Sequence, residues 1–257
     1  MLDAERRQQI VAYIEDRNGA TVGELRDRFG VSEATARRDV ALLSRQGLIE
    51  RAHGGAVPRR ARRSSGFPEP PILERTTLMV EEKRRIGALA GHYVDDGDTI
   101  IVNGGTTTEH LIPHLIERQG LTVITNALNI ATLLRAYPSI TVILLGGVLH
   151  HSSFSLVGLL GEDALANLRA DKLFAGIPAI HTGYGLSNDD MAEAQMDRAI
   201  MAAAREVTIL ADHSKFGRVA IVRVAPIKQV HRVITDAKTP ADQLAALREQ
   251  GILVEVA

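Results

Sequence analysis

Two groups of side chains in this 257-residue chain have the types and spacing that chemistry requires. The first is basic. Between Arg37 and Arg63 stand eight arginines against only Asp39 and Glu50, and planar guanidinium groups are the preferred bidentate partners of phosphates and guanine edges. The second is the run Asn103-Gly104-Gly105-Thr106-Thr107-Thr108. Its glycines let backbone approach a ligand closely, and N–H groups and hydroxyls at the threonines, which should open a helix, suit a phosphate. The run matches neither the Walker pattern nor the dinucleotide fingerprint. His110 and His114 have the i, i+4 spacing of a metal pair. Pro113 lies between them, no Glu takes the zincin position and no third ligand is near, so they read as structural and no metal site is expected. His150-His151 reads first as loop polarity and second as a ligand contact. Asp171, Glu193 and Asp212 are carboxylates available for proton transfer, with no triad or metal signature beside them. With no cysteine in the chain, disulfide frameworks, thiolate metal sites and cysteine nucleophiles are excluded.

The arginines need a scaffold that presents them. Residues 2–17 carry an apolar helical stripe at Ile10, Val11, Tyr13 and Ile14, ended by Asn18-Gly19. Thr21 caps a second short helix with Val22, Leu25 and Phe29 on one side, and Gly30 permits a tight turn. Ser32 caps a third helix whose buried stripe is Ala36, Val40 and Leu43, leaving Thr35, Arg37 and Arg38 outward. After Gly47, residues 48–57 read as two short strands around Gly54-Gly55. Three helices and a wing place one helix in a DNA major groove. Ser32, Thr35, Arg37 and Arg38 on the helix, with Arg51 and His53 on the wing, are the candidate DNA contacts.

Charge and composition divide the chain. Residues 1–63 are net +4 and the remainder net −5, within a total of −1. Residues 58–71 hold four of the nine prolines, so 58–78 is expected to be a linker between a DNA-binding domain at 1–57 and a second domain at 79–257. Arg59 to Arg63 either stay solvated or follow a phosphate backbone. From Glu81 onward, helical stretches alternate with β-branched runs at 99–102, 121–125, 140–145, 173–177, 207–210 and 230–235. That alternation predicts an α/β domain with a mostly parallel sheet. Asn103, Asn126, Gly147 and Asp212 follow four of these strands, at the carboxyl ends where open sheets bind ligands. No apolar run reaches the roughly 20 residues of a membrane span, and the first 20 residues lack a signal-peptide core, so a cytoplasmic address without membrane partners is expected.

Residues 31–40 (Val-Ser-Glu-Ala-Thr-Ala-Arg-Arg-Asp-Val), Gly47-Leu48-Ile49 and His53-Gly54-Gly55-Ala56 resemble the DeoR family of bacterial transcriptional regulators. Gly105-Thr106-Thr107, Thr125-Asn126, Gly146-Gly147 and Asp212-x-Ser214-Lys215-Phe216-Gly217 extend the resemblance over almost the whole chain. The resemblance implies a winged helix-turn-helix ahead of an α/β sensor domain that resembles ribose-5-phosphate isomerase and the acyl-CoA transferases. It implies a repressor of a sugar or polyol operon, a homo-oligomer (dimer or tetramer) on double-stranded operator DNA, controlled by a phosphorylated sugar or polyol, with no cofactor. Gly104, Gly105, Thr106 and Thr107 would hold the phosphate and Lys215 would supply the countercharge. Asn126, Gly147, Asp171 and Asp212 would line the sugar side, with Asn103 opening the loop. Two positions depart from the family pattern. Asn103-Gly104 replaces an Asp-Ser-like pair, removing a hydroxyl or carboxylate contact. Asp197, beside Arg198, stands where Glu193 is usually followed by a lysine, which opens the way to a less anionic ligand. The rival reading is an isomerase-like enzyme with a fused DNA-binding domain.

Overall fold

The computed structural model describes residues 3–17, 19–45, 48–52, 54–58 and 69–257, and the chain divides into two compact units, 1–63 and 64–257. In the first unit, helices α1 (Asp3–Asp16), α2 (Val22–Phe29) and α3 (Glu33–Arg45) accompany strands β1 (Ala20–Thr21), β2 (Ile49–Ala52) and β3 (Gly55–Pro58). Ile10, Ile14, Leu25, Ala36, Val40, Leu43 and Ile49 form its core, as the stripe spacing predicts. Thr21 closes a capping box with Glu24 at the start of α2, and Gly30 ends that helix at φ 62°. The wing strands β2 and β3 pair antiparallel. Strand β1, which the sequence reading missed, adds to β3 and gives the order β1-β3-β2. Only glycine fits at position 55, because a Cβ there would fall 2.2 Å from the Ala20 carbonyl oxygen.

The second unit is built on a sheet of seven strands, all parallel. Helices α4 (Ile72–Arg75) and α5 (Val80–Gly91) lead into β4 (Thr99–Val102), β5 (Thr122–Thr125), α6 (Leu128–Leu134) and β6 (Thr141–Leu144). A hairpin, β7 (Val148–His150) with β8 (Ser155–Val157), precedes α7 (Leu159–Ala166) and β9 (Ala170–Ala175). Then come β10 (Ala179–His181), β11 (Gly185–Asn188), α8 (Met191–Ala203), β12 (Ala204–Leu210), β13 (Val222–Ala225), β14 (Arg232–Thr235), α9 (Ala241–Glu249) and β15 (Leu253–Val256). The sheet order is β15-β14-β12-β9-β4-β5-β6, and β10, β11 and β13 form a smaller antiparallel sheet.

Alternate residues of the strands serve opposite faces. Ile100 and Val102 pack with Ile86, Ala90, Leu111 and Ile130 on one side, while Ile101 packs with Leu165, Met196, Ile200 and Leu247 on the other. The result is a three-layer α/β unit, the class the alternating pattern predicts. Strand order reverses between β4 and β9, which makes their carboxyl ends the switch point of the sheet.

Residues 69–78, read from sequence as linker, belong to the second unit. Ile72 is buried, and its N–H donates to the Ser152 carbonyl at 2.7 Å. Proline marks an extended start here but does not prevent the short α4 from docking. Among the described residues no helix is long and apolar enough to cross a membrane.

Candidate functional site

In the first unit, α3 presents the candidate recognition surface. Ser32 Oγ accepts from the Thr35 N–H at 3.2 Å, satisfying a donor at the start of the helix. Arg37 and Arg38 are exposed, and Arg37 pairs with Glu33 one turn back at 2.7 Å. The opposite side of α3 is fixed by charge. Asp39 is buried and accepts from Arg6 and Arg7 of α1, each at 2.9 Å. Burial pushes its carboxyl upward, but the two guanidinium groups outweigh this and hold it below the usual range. Arg51 lies on β2, and His53 falls outside the described residues.

In the second unit a cavity of about 240 Å³ opens at the switch point. This is small for a drug-sized ligand and suits a compact metabolite. Asn103, Gly104, Gly105, Thr106 and Thr107 after β4, Asn126 after β5, and Asp212 and Lys215 after β12 all line it. Asn103 ties two strand ends together: its Oδ1 accepts from the Gly176 N–H at 2.8 Å, and its Nδ2 donates to the Gly176 carbonyl at 3.0 Å. Thr108 Oγ1 donates to the Asn103 and Gly105 carbonyls, which folds the loop into a cradle. The helix that follows, Thr108–His114, is a short 3₁₀ segment containing Pro113 rather than the expected α-helix. His110 and His114 lie against α5 at Gly87 and Gly91, where a Cβ would fall 2.3 Å from the His110 backbone and 2.6 Å from the His114 Cβ. The loop carrying Lys215 is braced from behind. Asp212 Oδ1 accepts from the Ser214 N–H at 2.9 Å, and the buried Asp236 accepts from the His213 N–H at 2.7 Å.

Two expected ligand contacts lie elsewhere. Asp171 sits near the amino end of β9, where it accepts from the Thr99 N–H at 3.0 Å and faces Arg205 at 3.5 Å. The cavity is at the carboxyl end of that strand, roughly 13 Å away at the rise of an extended chain. Gly147 does not line the cavity. With φ 151°, it lets backbone pass where a Cβ would meet the Val157 carbonyl oxygen at 2.5 Å.

Other lining groups went unread. Lys83 is buried on the apolar face of α5 with Ile86, Gly87 and Ala90, and its Nζ donates to the Arg75 carbonyl at 2.6 Å. Burial lowers its pKa, partly offset by the Asp212 carboxylate. A lysine in register with an apolar stripe was the available signal. Glu69 bridges two cavity cations, Arg75 at 2.5 Å and Lys215. Nothing local marks that pair, because Glu69 and Lys215 are 146 residues apart.

Asp197 also lines the cavity. Asn103 donates to its Oδ1 at 3.3 Å and Asn188 to its Oδ2 at 3.2 Å. Burial, helped by the nearby Glu193 carboxylate, pushes its pKa up to about 7. The two departures from the family pattern, Asn103 and Asp197, therefore touch each other. Ser155 donates to Glu193 at 3.4 Å, and His150 lies 3.4 Å from Glu193 and 3.5 Å from Asp190. His150 contacts Glu193 without itself lining the cavity. Met79, which lines the cavity, and Phe154, between the lining residues Ser153 and Ser155, are the non-glycine residues with positive φ among those described. Backbone strain of this kind collects around ligand sites.

Sequence profiles of two domains match the chain: the DeoR-like helix-turn-helix domain over residues 6–60 and the DeoR C terminal sensor domain over 78–237. The HTH-type transcriptional repressor CsqR of Escherichia coli (strain K12) is 34% identical over 96% of this chain and 93% of its own length. The glycerol-3-phosphate regulon repressor of the same strain is 32% identical over 100% of both chains. Among solved structures, ribose 5 phosphate isomerase A from Neisseria gonorrhoeae is 15% identical with a TM-score of 0.39, covering 54% of this chain and 53% of its own. The chain thus spans about half the length of that structure.

Proposed function

The chain belongs to the DeoR family, and from that premise we propose that it is a repressor of a sugar or polyol catabolic operon whose hold on operator DNA is set by a phosphorylated sugar or polyol. The first unit binds double-stranded operator through α3 and the wing. Arg37 and Arg38 reach bases or phosphates, and Ser32 and Thr35 sit at the helix start, where free N–H groups favour phosphate. The second unit senses the effector, and chain copies associate through it to place two or more heads on repeated half-sites.

One observation carries the sensing role. Three cations, Lys83, Arg75 and Lys215, converge with the Gly104–Thr107 cradle on one cavity at the switch point of the sheet. Fixed cations beside free backbone N–H groups bind a phosphate monoester well. Asn126 and Asp212 face the remainder of the ligand. An effector shifts operator affinity only by the difference in its own affinity for the two states of the protein. A coupling of roughly 1–3 kcal/mol gives about a 5- to 150-fold change.

The test is a titration of the chain's own promoter DNA, with and without a panel of sugar and polyol phosphates, in wild type and in Lys215→Ala and Thr107→Val. Wild type should prefer its promoter over random duplex and respond to at least one phosphate, while the two variants bind DNA normally and lose the response. A wild-type response in both variants removes the cavity from the mechanism. The isomerase-like alternative draws on Asp197, a carboxylate with a near-neutral pKa in the cavity. Steady turnover of any panel member would favour it, whereas thermal stabilisation without turnover favours sensing.

A further inference from the structure

The cavity is lined by groups of both charges. Lys83, Arg75, Lys215 and Arg218 line it together with four carboxylates, of which Glu69 is held by Arg75 and Lys215 and Asp212 acts on Lys83, while Asp197 and Glu193 have no lysine or arginine partner among the described residues. Asp197 is a built group rather than a stray surface charge. Its oxygens are held by Asn103 and Asn188, both buried and both neutral, and Asn103 is itself locked to Gly176. The cation next to it in sequence, Arg198, is exposed and donates instead to the Arg223 carbonyl. With amides alone as partners, the charged form of Asp197 has no counter-ion, and burial favours the neutral acid until a cation lies beside it.

A second observation points the same way. Asn126 lines the cavity and is 4% exposed. Its Nδ2 donates to the Leu156 carbonyl, but its Oδ1 is buried without a partner among the described residues. A buried acceptor left unpaired is rare and costly, so it marks a place where a donor belongs. The acceptors Asp197, Glu193 and Asn126 Oδ1 together want several N–H donors and a positive charge. An ammonium group supplies three donors and no acceptor, whereas a hydroxyl supplies one donor and no charge.

We infer that the effector bears a protonated amine as well as its anionic group, the amine seated against Asp197, Glu193 and Asn126 and the anion against Lys83, Arg75 and Lys215. The ligand class is an amino sugar phosphate or amino polyol phosphate. This rests on the anion-sensing reading above and deepens it. A positive charge seated beside Asp197 would favour its ionised form and lower its pKa from about 7.

Matched pairs of probes test it. Binding of glucosamine 6-phosphate against glucose 6-phosphate, and galactosamine 6-phosphate against galactose 6-phosphate, is measured calorimetrically on the full chain, with inorganic phosphate as the anion-only probe. The amine member of at least one pair should bind about tenfold more tightly, the difference between a charge-assisted and a neutral hydrogen bond. That ratio should collapse toward one in Asp197→Asn and shrink in Glu193→Gln. If the hydroxyl member binds as tightly in both pairs while inorganic phosphate competes, the amine inference is overturned and the anion reading stands. If neither inorganic phosphate nor any sugar phosphate binds wild type, the anion reading falls and this inference with it.

Discussion

A carboxyl group whose pKa is raised in the folded chain weakens folding at neutral pH, and Asp197 is such a group. Between its ordinary value of 3.8 and about 7 the native state binds more protons than the unfolded one, so stability falls as pH rises through that window. Asp197→Asn should therefore raise the unfolding free energy of the free protein at pH 8 by on the order of a few kcal/mol, read as a higher melting temperature, and leave both unchanged near pH 4. A variant no more stable than wild type at pH 8 would refute the burial argument. Arg38 poses the opposite case. It is exposed on α3, so Arg38→Ala should leave stability within about 0.5 kcal/mol while weakening operator binding by roughly 1–3 kcal/mol. Filter or anisotropy titrations at fixed salt measure it, and undiminished operator affinity would move recognition away from α3. Single residues were legible from the sequence where their neighbours in the chain define their setting. Gly104, Thr107 and Asn126 follow strands, and strand ends converge in this class of fold. Asp171 misled because a carboxylate's type says nothing about which end of its strand it occupies. Gly147 misled because a glycine serving close backbone approach looks the same as one serving a ligand.

At the scale of elements, the periodicity was readable wherever a segment buries one continuous face. The stripes of α1, α2 and α3 and the apolar runs of β4, β5, β12 and β14 fall in this group, because burial on a helix or in a parallel sheet imposes its pattern directly. Strand β1 was not readable: two residues carry no period, and its existence depends on the nearness of Gly55 across the wing. The small β10-β11-β13 sheet was missed for the same reason, as its strands of three or four residues depend on tertiary pairing. The segment 69–78 was hidden by its prolines, and it carries a consequence for binding. Glu69 occupies Arg75 and Lys215 just where an incoming anion needs them. Binding must then displace a tethered competitor, so Glu69→Gln should tighten the affinity for inorganic phosphate several-fold, as read by calorimetry. Weaker binding in the variant would show that Glu69 organises the cations rather than competing for them.

At the scale of the molecule, the proposed reading of repeated half-sites requires two heads held at once, and an exposed apolar surface of the second unit is the candidate for holding them. Val148 and Leu160 are 72% and 73% exposed, Leu159 71%, and Leu144 45%. They are neighbours: Leu160 Cβ lies 3.8 Å from where a Cβ on Gly146 would stand, between Leu144 and Val148 in the chain, and Val148 pairs with Val157 just before Leu159. A contiguous apolar patch of this kind is costly in water and usually marks an interface. Tethering two heads in one oligomer replaces a second bimolecular encounter by an intramolecular one, which strengthens binding by about 10²–10⁴ without new DNA contacts. The double variant Val148→Lys with Leu160→Lys should therefore sediment as a monomer. It should lose most of its affinity for an operator with two half-sites one helical turn apart, and match wild type on a single half-site. Because both residues lie outside the lining of the cavity, effector binding by the monomer should persist. A double variant that keeps the wild-type sedimentation coefficient would place the contact between copies on another face of the second unit.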